Sequence, residues 1–511
     1  MKPIVIDVNK FIFKIKNFKI TKFLKDEWIY FLAVCNNFFK EKGFLKYFAF
    51  VYFVYFIGYF GLLRNNIDYI DDIARGSSGY FGFTYLSRYM SEYFSKLIHL
   101  NLHTNTDISP ITQLIAIAFL SIGSMLLVKM IRKKQSYFAL FASISLGLSP
   151  FFLSNMSFKF DSPFMAIALI SPIIPFLFLK KKFIFFILSI LTISLMLTTY
   201  QASNAIYITM ALFTILIYLL KNMAVKNILK NILLFIVSYS VPILIYKFVI
   251  MHSADIGYVS TEISYDIKNI ITNIYKTLNE YVYIVTNTSF LIYIVSAIIL
   301  LFIITAISIS KNKNILSFLY SILFIIISIS FSQGIYLLLI NFSTGPRYLN
   351  NIGLIFAIIC VFITLHKYKI MKLFYIIVIC LNSHLLIIQS NSYANALKSE
   401  DEYAKYRLES IMMNVNNMTT DKFKIHIFSP SIKNSSKLIN SSKNFPIIKK
   451  LVTNYYNDQW INYYFFHNNN YVHLYSTKLC FDNKNIILSK KDTYEYKIIK
   501  YDNNCFIVEF K

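Results

Sequence analysis

Long apolar runs are the feature of this sequence that most limits how it can fold. Eleven runs of roughly 17 to 25 residues are long enough to cross hydrocarbon about 30 Å thick as helices that rise about 1.5 Å per residue. In lipid, only helices and closed barrels satisfy every backbone polar group, and these runs are too long for barrel strands. We therefore predict an α-helical polytopic membrane protein. The runs are 44–63, 110–130, 136–153, 163–179, 183–200, 204–220, 231–250, 289–310, 315–340, 350–366 and 373–390.

The composition excludes several other classes of protein. Hydrophobic residues make up 56% of the 511 residues and charged residues only 15%, whereas a soluble domain carries about 25% charge. Disordered, collagen-like and disulfide-rich secreted chains are excluded by the same figures. The net charge of +26 comes with abundant Lys, Asn, Ile, Tyr and Phe. This bias is typical of codon composition, so the basic excess is weak evidence for an anionic partner. We predict a bilayer partner and no nucleic acid.

Charge alternates between successive loops, which predicts the orientation in the membrane. Five loops hold fifteen Lys and Arg and not one Asp or Glu, whereas most acids of the membrane half lie in the other loops. Basic short loops mark the cytoplasmic side. The N-terminus, with ten Lys in the first 46 residues, is predicted to be cytoplasmic. Eleven crossings then place the tail on the outer side.

Three regions follow from these patterns. Residues 1–43 are predicted to be a cytoplasmic segment with an interfacial helix, and residues 44–390 a transmembrane domain with outer loops 64–109 and 251–288. Amphipathic spacing over 84–100 and 267–283 predicts helices that lie along the membrane surface. Residues 391–511 carry more charge and no long apolar run, which predicts a small extracytoplasmic domain of mixed α/β structure.

Short alternating segments in the tail indicate strands, at Lys424–Phe428, Tyr471–Tyr475 and Tyr494–Ile499. Cys480 and Cys505 lie in this part of the chain, where the compartment is oxidising. Either the two cysteines pair or both are unpaired thiols.

The first outer loop concentrates groups that can do chemistry. Asp68, Asp71 and Asp72 lie within twelve residues of Arg64 and Arg75, in a chain that uses charge sparingly elsewhere. Neighbouring carboxylates push each other's proton affinities apart, so one can act as a base while the other binds or orients. The alternative is a solvated acidic loop with a helix cap.

Other outer segments add polar groups near the ends of spans. These are Lys159 and Asp161, then Tyr200 and Gln201, and then Arg347 with Tyr348. Lys159 and Arg347 are candidate phosphate anchors, and Arg suits this role because its planar fork binds phosphate oxygens bidentately. The alternative is that they neutralise nearby carboxylates or reach toward lipid headgroups.

The first loop resembles a known signature. Tyr69-Ile-Asp71-Asp72-Ile-Ala-Arg75-Gly-Ser-Ser-Gly79-Tyr80 is similar to the first-loop motif of the type II Gtr family of O-antigen serotype-conversion glucosyltransferases. The likeness covers roughly residues 44 to 390. It continues in order through Asp107-Ile-Ser-Pro110, Ser149-Pro150-Phe-Phe-Leu-Ser-Asn155, Phe160-Asp161-Ser162 and Tyr200-Gln201-Ala202-Ser203.

This resemblance implies a glycosyltransferase of GT-C architecture. Such enzymes take a sugar from a polyprenyl phosphate, typically glucose on undecaprenyl phosphate, at the outer face of the bacterial inner membrane. They transfer it to a surface polysaccharide such as O-antigen, which modifies lipopolysaccharide and converts the serotype. The C-terminal domain would then be periplasmic.

The resemblance and the chemistry together imply roles for individual residues. Asp72 is the first choice for the catalytic base and Asp71 the second, with inversion expected at C1. Arg75, Arg347 and Lys159 are predicted to bind the donor phosphate. A divalent metal, Mg or Mn, is left open, and its ligands are unknown. The residues predicted to bind substrate are Asp68, Asp161, Tyr200, Gln201 and Tyr348.

Three alternatives differ in activity or acceptor. A lipid-linked sugar flippase or transporter would place its binding groups near mid-membrane, often on broken helices, whereas the charges here lie at the outer edge. A surface-polysaccharide polymerase would typically use basic outer-loop residues more than a carboxylate pair. A protein or lipid A glycosyltransferase would share the architecture and differ in acceptor.

Overall fold

The computed structural model describes residues 19–251, 262–311, 315–366, 370–428, 433–456, 459–469, 471 and 486–511. Helices dominate these residues, and a small sheet lies near the C-terminus. The first ten helices are α1 Lys19–Phe39, α2 Phe44–Asn65, α3 Asp71–Ser78, α4 Tyr89–His99, α5 Ile111–Arg132, α6 Tyr137–Ala142, α7 Ser145–Leu148, α8 Pro150–Ser157, α9 Ser162–Ile170 and α10 Lys182–Thr199. The others are α11 Ala205–Leu220, α12 Val225–Ile245, α13 Ile267–Asn287, α14 Leu291–Ile309, α15 Ile315–Ser330, α16 Asn351–Ile363, α17 Ile370–Asn416, α18 Ser436–Asn444, α19 Ile447–Leu451 and α20 Gln459–Asn468.

Seven helices in the described ranges are long and apolar enough to cross a membrane, which supports a membrane protein. They are Phe44–Asn65, Ile111–Arg132, Lys182–Thr199, Gln201–Leu220, Val225–Ile250, Leu291–Ile309 and Met371–Asn416. The pair Tyr137–Leu148 and Pro150–Ser157 is bent by 65° and raises the number to eight if it is one span. Three predicted runs form shorter apolar helices, Ser162–Phe178, Ile315–Ser330 and Asn351–Ile363. The predicted number of eleven spans is therefore not confirmed.

The bent and short segments have local causes. Pro150 begins α8 directly after α7, so the backbone turns between the two helices instead of continuing as one. After α9 the chain tightens into a 3-10 segment, Ser171–Phe178, which contains Pro175. Proline lacks the N–H that an α-helix interior needs, so it favours these breaks. Hydropathy alone registers such segments as spans because it does not detect their bends.

Tyrosines help to hold the centre of the helical domain. Tyr55 and Tyr59 are fully buried on α2. The Tyr55 hydroxyl is 2.8 Å from Ser124 Oγ on α5, and the Tyr59 hydroxyl donates to the Gly147 carbonyl on α7. Buried polar groups without such partners would cost free energy, so these bonds let tyrosine pack where only apolar residues would otherwise fit.

Helices form at both segments predicted to lie along the membrane surface. The first is α4, which follows a short 3-10 turn at Thr84–Leu86. It exposes Tyr93 and Leu97 while Ser91 and Ser95 are buried. The second is α13, which exposes Ile271 and Tyr275. Apolar side chains on an exposed helix face are typical of a helix that rests on lipid.

The tail contains helices and a sheet. Strands β1 Lys424–Phe428, β2 Ile487–Asp492, β3 Tyr496–Tyr501 and β4 Cys505–Phe510 form one sheet in the order β1-β4-β3-β2. The β1–β4 pair is parallel and the other pairs are antiparallel. The strand predicted at 424–428 is confirmed and the one at 494–499 overlaps β3. Residues 472–475 and Cys480 lie outside the described residues, so their strand and the pairing with Cys505 stay predictions.

A single helix connects the two parts of the molecule. Helix α17 has 47 residues and continues without a break across the predicted boundary between Ser390 and Asn391. At about 1.5 Å per residue it is about 70 Å long, more than twice the thickness of hydrocarbon. Its second half packs in the core of the tail through Leu408, Ile411 and Val415. The tail is therefore held by a rigid element and by contacts with α3, whose Ile73 belongs to the same core.

Candidate functional site

Five segments meet beside the end of α2, and they contain all ten residues predicted for the site. These segments are the first loop with α3, the turn before α4, residues 158–161 before α9, the turn after α10, and the 3-10 turn Pro346–Tyr348. Gly79 ends α3 with a positive φ of 70°, and its N–H bonds to the Arg75 carbonyl at 2.8 Å. The Asn105 N–H donates to the Gly79 carbonyl at 2.7 Å, so the loop closes on itself.

Asp72 is fully buried, and its carboxylate accepts hydrogen bonds from backbone N–H groups. Its Oδ2 accepts from the N–H of Lys159 at 2.8 Å and of Tyr69 at 3.3 Å, and its Oδ1 accepts from the N–H of Phe160 at 3.3 Å. Burial raises the pKa of Asp72 to about 8, although the Lys159 N–H and the Arg75 charge oppose that rise. The side chain ties the first loop to residues 159–160, which is a structural role.

Asp72→Asn is expected to destabilise the fold. An amide can accept through one oxygen only, so its NH₂ group would face at least one backbone N–H that Asp72 now satisfies. Leaving a buried donor unsatisfied costs about 1 to 3 kcal/mol. The thermal midpoint of the purified variant should fall below that of the wild type. An unchanged midpoint would show that these three bonds do not hold the loop.

Arg75 is paired within the protein. It forms a buried ion pair with Asp161, and its guanidinium carbon lies 4.2 Å from the centre of the Phe83 ring. Burial lowers the pKa of Arg75, while Asp71, Tyr80 and Asp72 favour its charged form. Arg75 and Asp161, predicted to bind phosphate and substrate, thus neutralise each other in the structure.

Lys159 is likewise committed to carboxylates. Its Nζ lies 2.7 Å from Asp68 Oδ1 and 3.1 Å from Asp107 Oδ2, and the side chain is buried. Burial lowers the pKa of Lys159, but the two carboxylates outweigh that effect and raise it. Of the two roles open for Lys159 on sequence grounds, this geometry favours the neutralisation of carboxylates over phosphate binding.

Arg347 has a different environment. Its Nη2 donates to the Tyr348 hydroxyl at 2.9 Å, and the Tyr200 hydroxyl lies 3.4 Å from the Arg347 carbonyl oxygen. None of the ion pairs between described residues includes Arg347, which is half-buried. Burial lowers its pKa, but Tyr348, Tyr200 and Asp71 together raise it above the usual value. Arg347 is a fixed cation with no carboxylate partner within the described part of the chain.

Arg88 lies over the Tyr200 ring and was missed as a site residue from the sequence. Its guanidinium carbon is 4.9 Å from the ring centre, and its Nε donates to Gln201 Oε1 at 3.0 Å. The Gln201 amide in turn donates to the Leu86 carbonyl and to the Tyr246 hydroxyl. Arg88 is half-buried and belongs to none of the ion pairs formed by the described residues. The available signal was its place among the polar residues of the amphipathic segment 84–100.

Asp71 lies near Tyr200, as both arginines do, because all three charges act on its hydroxyl. It is half-buried, and neither an ion pair nor a side-chain hydrogen bond between described residues involves its carboxylate. Its negative charge acts on Arg347, Tyr200 and Tyr80. Burial raises the pKa of Tyr200 to about 12, so its hydroxyl is neutral and can donate. The adjacent aspartates therefore differ: Asp72 is enclosed by backbone, whereas Asp71 keeps its oxygens available.

The acidic residues described at this site do not form a ligand set for a divalent metal. No group of three or more His, Cys, Asp or Glu with suitable placement occurs in the described ranges. Asp68 and Asp161 bond to Lys159 and Arg75, and Asp72 accepts from the backbone. A protein-held cation needs several oxygen ligands that are not already committed, so we assign no metal ligand.

The family model described as Glucosyl transferase GtrII matches residues 59–362, which is more than half of the chain. The matched region includes α3, Arg88, Lys159, Tyr200 and Arg347. Neither a curated protein nor a solved structure matches the chain significantly. From its family match, the chain belongs to the GtrII family of glucosyl transferases.

Proposed function

We propose that this glucosyl transferase moves a glucosyl residue from a polyprenyl phosphate to a surface polysaccharide such as O-antigen. The observation that carries the proposal is the arrangement of Asp71, Arg88 and Arg347 around Tyr200. The Asp71 carboxylate has no committed partner, and its charge acts on the same tyrosine as two arginines that lack carboxylate partners among the described residues. This combination suits a reaction that needs a base on one side and cations for a phosphate on the other.

Asp71 acts as the base in this proposal, and Asp72 supports the loop. As the acceptor oxygen attacks C1 of the sugar, its proton moves to the Asp71 carboxylate. The bond between C1 and the phosphate oxygen breaks at the same time, and the polyprenyl phosphate leaves with that electron pair. A single displacement with one base inverts the configuration at C1. Asp72 is unsuited to this task because backbone N–H groups occupy both of its oxygens.

Arg88 and Arg347 stabilise the leaving phosphate. Negative charge grows on the phosphate as the glycosidic bond breaks, and fixed cations at that position lower the barrier. Arg347 is held by Tyr348, and Arg88 is held by Gln201 and the Tyr200 ring. Neither has to leave a carboxylate before it binds the donor. Arg75 and Lys159 would first have to break buried ion pairs, which would be costly.

The proposed location is the outer face of a bacterial inner membrane, with a cytoplasmic N-terminus and a periplasmic tail. Support comes from the lysine-rich loops, which would lie on the opposite side from Asp71 and both arginines. Helix α4, directly after Arg88, exposes Tyr93 and Leu97 and would rest on the lipid. A donor phosphate at the lipid–water boundary could then reach the arginines while its prenyl chain stays in hydrocarbon.

The donor class can be tested with purified protein in proteoliposomes. Polyprenyl phosphate carrying radiolabelled glucose is supplied with surface polysaccharide from the cells that make the protein, and UDP-glucose replaces the lipid donor in a parallel reaction. We expect label to enter polysaccharide from the lipid donor only. Transfer from UDP-glucose alone would contradict the proposal. Movement of the lipid donor across the bilayer without product would instead indicate a flippase.

A further inference from the structure

A cavity lies where the first loop meets the C-terminal domain. Its volume is about 180 Å³. A single water needs only about 10 to 15 Å³ measured in this way, so the cavity can admit a molecule much larger than water. Its walls come from the end of α2, from the first loop with α3, from α17, and from α20 with the segment before it. The residues that matter here are Asn65, Asp68, Asp401, Tyr455, Phe465 and Asn469.

Two buried polar atoms in these walls lack a partner within the described residues. Asn65 donates through Nδ2 to the Ala394 carbonyl, but its buried Oδ1 accepts no hydrogen bond. Tyr455 is 2% exposed, and its hydroxyl lies near Asp401 without a hydrogen bond of normal geometry. Buried polar groups are normally satisfied. An unfilled acceptor and an unfilled hydroxyl in one cavity therefore point to a ligand that carries hydroxyl groups.

The charges of the cavity disfavour ions. Asp68 is paired with Lys159 and Asp401 with Lys405, so each carboxylate already has a cation. An anion would meet two carboxylates, and a divalent cation would have to compete with both lysines. A neutral molecule can hydrogen-bond to carboxylate and amide oxygens without disturbing these pairs. The Tyr455 and Phe465 rings, 4.7 Å apart at their centres, add an apolar surface beside these polar groups.

We propose that this cavity binds a sugar unit of the acceptor glycan. Hydroxyls of the sugar would donate to Asn65 Oδ1 and to the carboxylate of Asp68 or Asp401, and the Tyr455 hydroxyl would bond to the sugar in return. This inference rests on the proposed function, because it assigns the polysaccharide a second contact away from the reacting hydroxyl. Drug-sized ligands occupy pockets of about 300 to 1,000 Å³, so this smaller cavity suits one ring of a longer chain.

The cavity and the candidate active site share one stretch of backbone. Asp68 lines the cavity and bonds to Lys159, whose own N–H bonds to Asp72 beside Asp71. Asn468 on α20 also donates to Asp68 at 2.9 Å. A glycan held in the cavity would thus be anchored to the same loop that carries the base. Through this connection, the C-terminal domain would contribute to acceptor specificity.

The test measures binding, which is separate from transfer. Full-length protein in detergent is titrated with oligosaccharides released by mild acid from the surface polysaccharide of the cells that make it, and calorimetry gives the dissociation constant. Tyr455→Phe and Asn65→Ala should each raise that constant about tenfold, since a site built for hydroxyls loses affinity when a partner is removed. Asn440→Ala, an exposed amide on α18, is the matched control and should bind like the wild type.

The outcomes separate this inference from the proposed function. Asp71→Asn should bind the oligosaccharides with the wild-type constant although its rate of transfer falls by about 10²- to 10⁴-fold. If oligosaccharides bind normally but polyprenyl phosphate glucose is not a donor, the proposed function fails and the cavity assignment stands. The cavity assignment is overturned if no oligosaccharide binds, if both cavity variants bind like Asn440→Ala, or if Mg²⁺ or Ca²⁺ competes for the same site.

Discussion

Asp71→Asn is expected to lower the rate constant of glucosyl transfer by about 10²- to 10⁴-fold, the usual contribution of a positioned general base. The amide cannot accept the proton of the attacking hydroxyl. The Asp71 carboxylate takes part in no ion pair and no side-chain hydrogen bond between described residues, so its replacement should leave the fold intact. Initial rates with radiolabelled polyprenyl phosphate glucose, measured together with thermal midpoints, give both quantities.

Asp72→Asn is the matched control for this experiment, because it makes the same chemical change one residue away. It should lower the thermal midpoint, since Asp72 is fully buried and accepts three backbone N–H bonds. The two variants therefore separate chemistry from stability. The assignment would be contradicted if Asp71→Asn kept wild-type turnover while a stable Asp72→Asn lost activity. Asp72 would then be the catalytic base.

Arg347→Ala is expected to lower kcat/KM by about 10²- to 10³-fold, comparable to the removal of one group that stabilises transition-state charge. Burial and the hydrogen bond to Tyr348 hold the guanidinium in place, so its loss removes a preorganised cation. Arg347→Lys should recover part of the activity, because it restores the charge without the planar fork. Steady-state kinetics over a range of donor concentrations measure both effects.

Arg64→Ala provides the corresponding control. Arg64 is exposed at the end of α2, where it donates to Asn395, and it contacts none of the proposed donor groups. Its variant should keep kcat/KM close to the wild-type value. Equal activity in Arg347→Ala and Arg64→Ala would mean that Arg347 does not bind the donor, and that it serves only to anchor the turn or to reach headgroups.

Helix positions could be predicted because each long apolar run is visible within one continuous stretch of the sequence. Each predicted run contains helix in the structure. The bends were harder to predict: Pro150 and Pro175 stand inside apolar runs, and only packing decides whether such a helix kinks, shortens or ends. The boundary placed at residue 391 also reflects this limit, since composition changes there but the backbone of α17 does not.

In the candidate site too, local features could be predicted from the sequence and long-range contacts could not. A cluster of charge in the first loop is visible in the sequence, so Asp71, Asp72 and Arg75 could be selected there. Their roles depend on partners about 90 residues away, such as Lys159 with Asp68 and Arg75 with Asp161. Arg88 could not be separated from the polar face of a surface helix, because its contact with Tyr200 joins residues 112 positions apart.

The position of the donor phosphate is the most direct measurement of the central claim. It can be obtained from a cryo-electron microscopy map of the full-length protein in nanodiscs, with polyprenyl phosphate glucose bound to the slow Asp71→Asn variant and no acceptor present. We expect phosphate oxygens within about 3.2 Å of the Arg347 and Arg88 guanidinium groups, with C1 of the glucose facing residue 71. A phosphate bound to Lys159, or at the lysine-rich face of the membrane domain, would contradict this site.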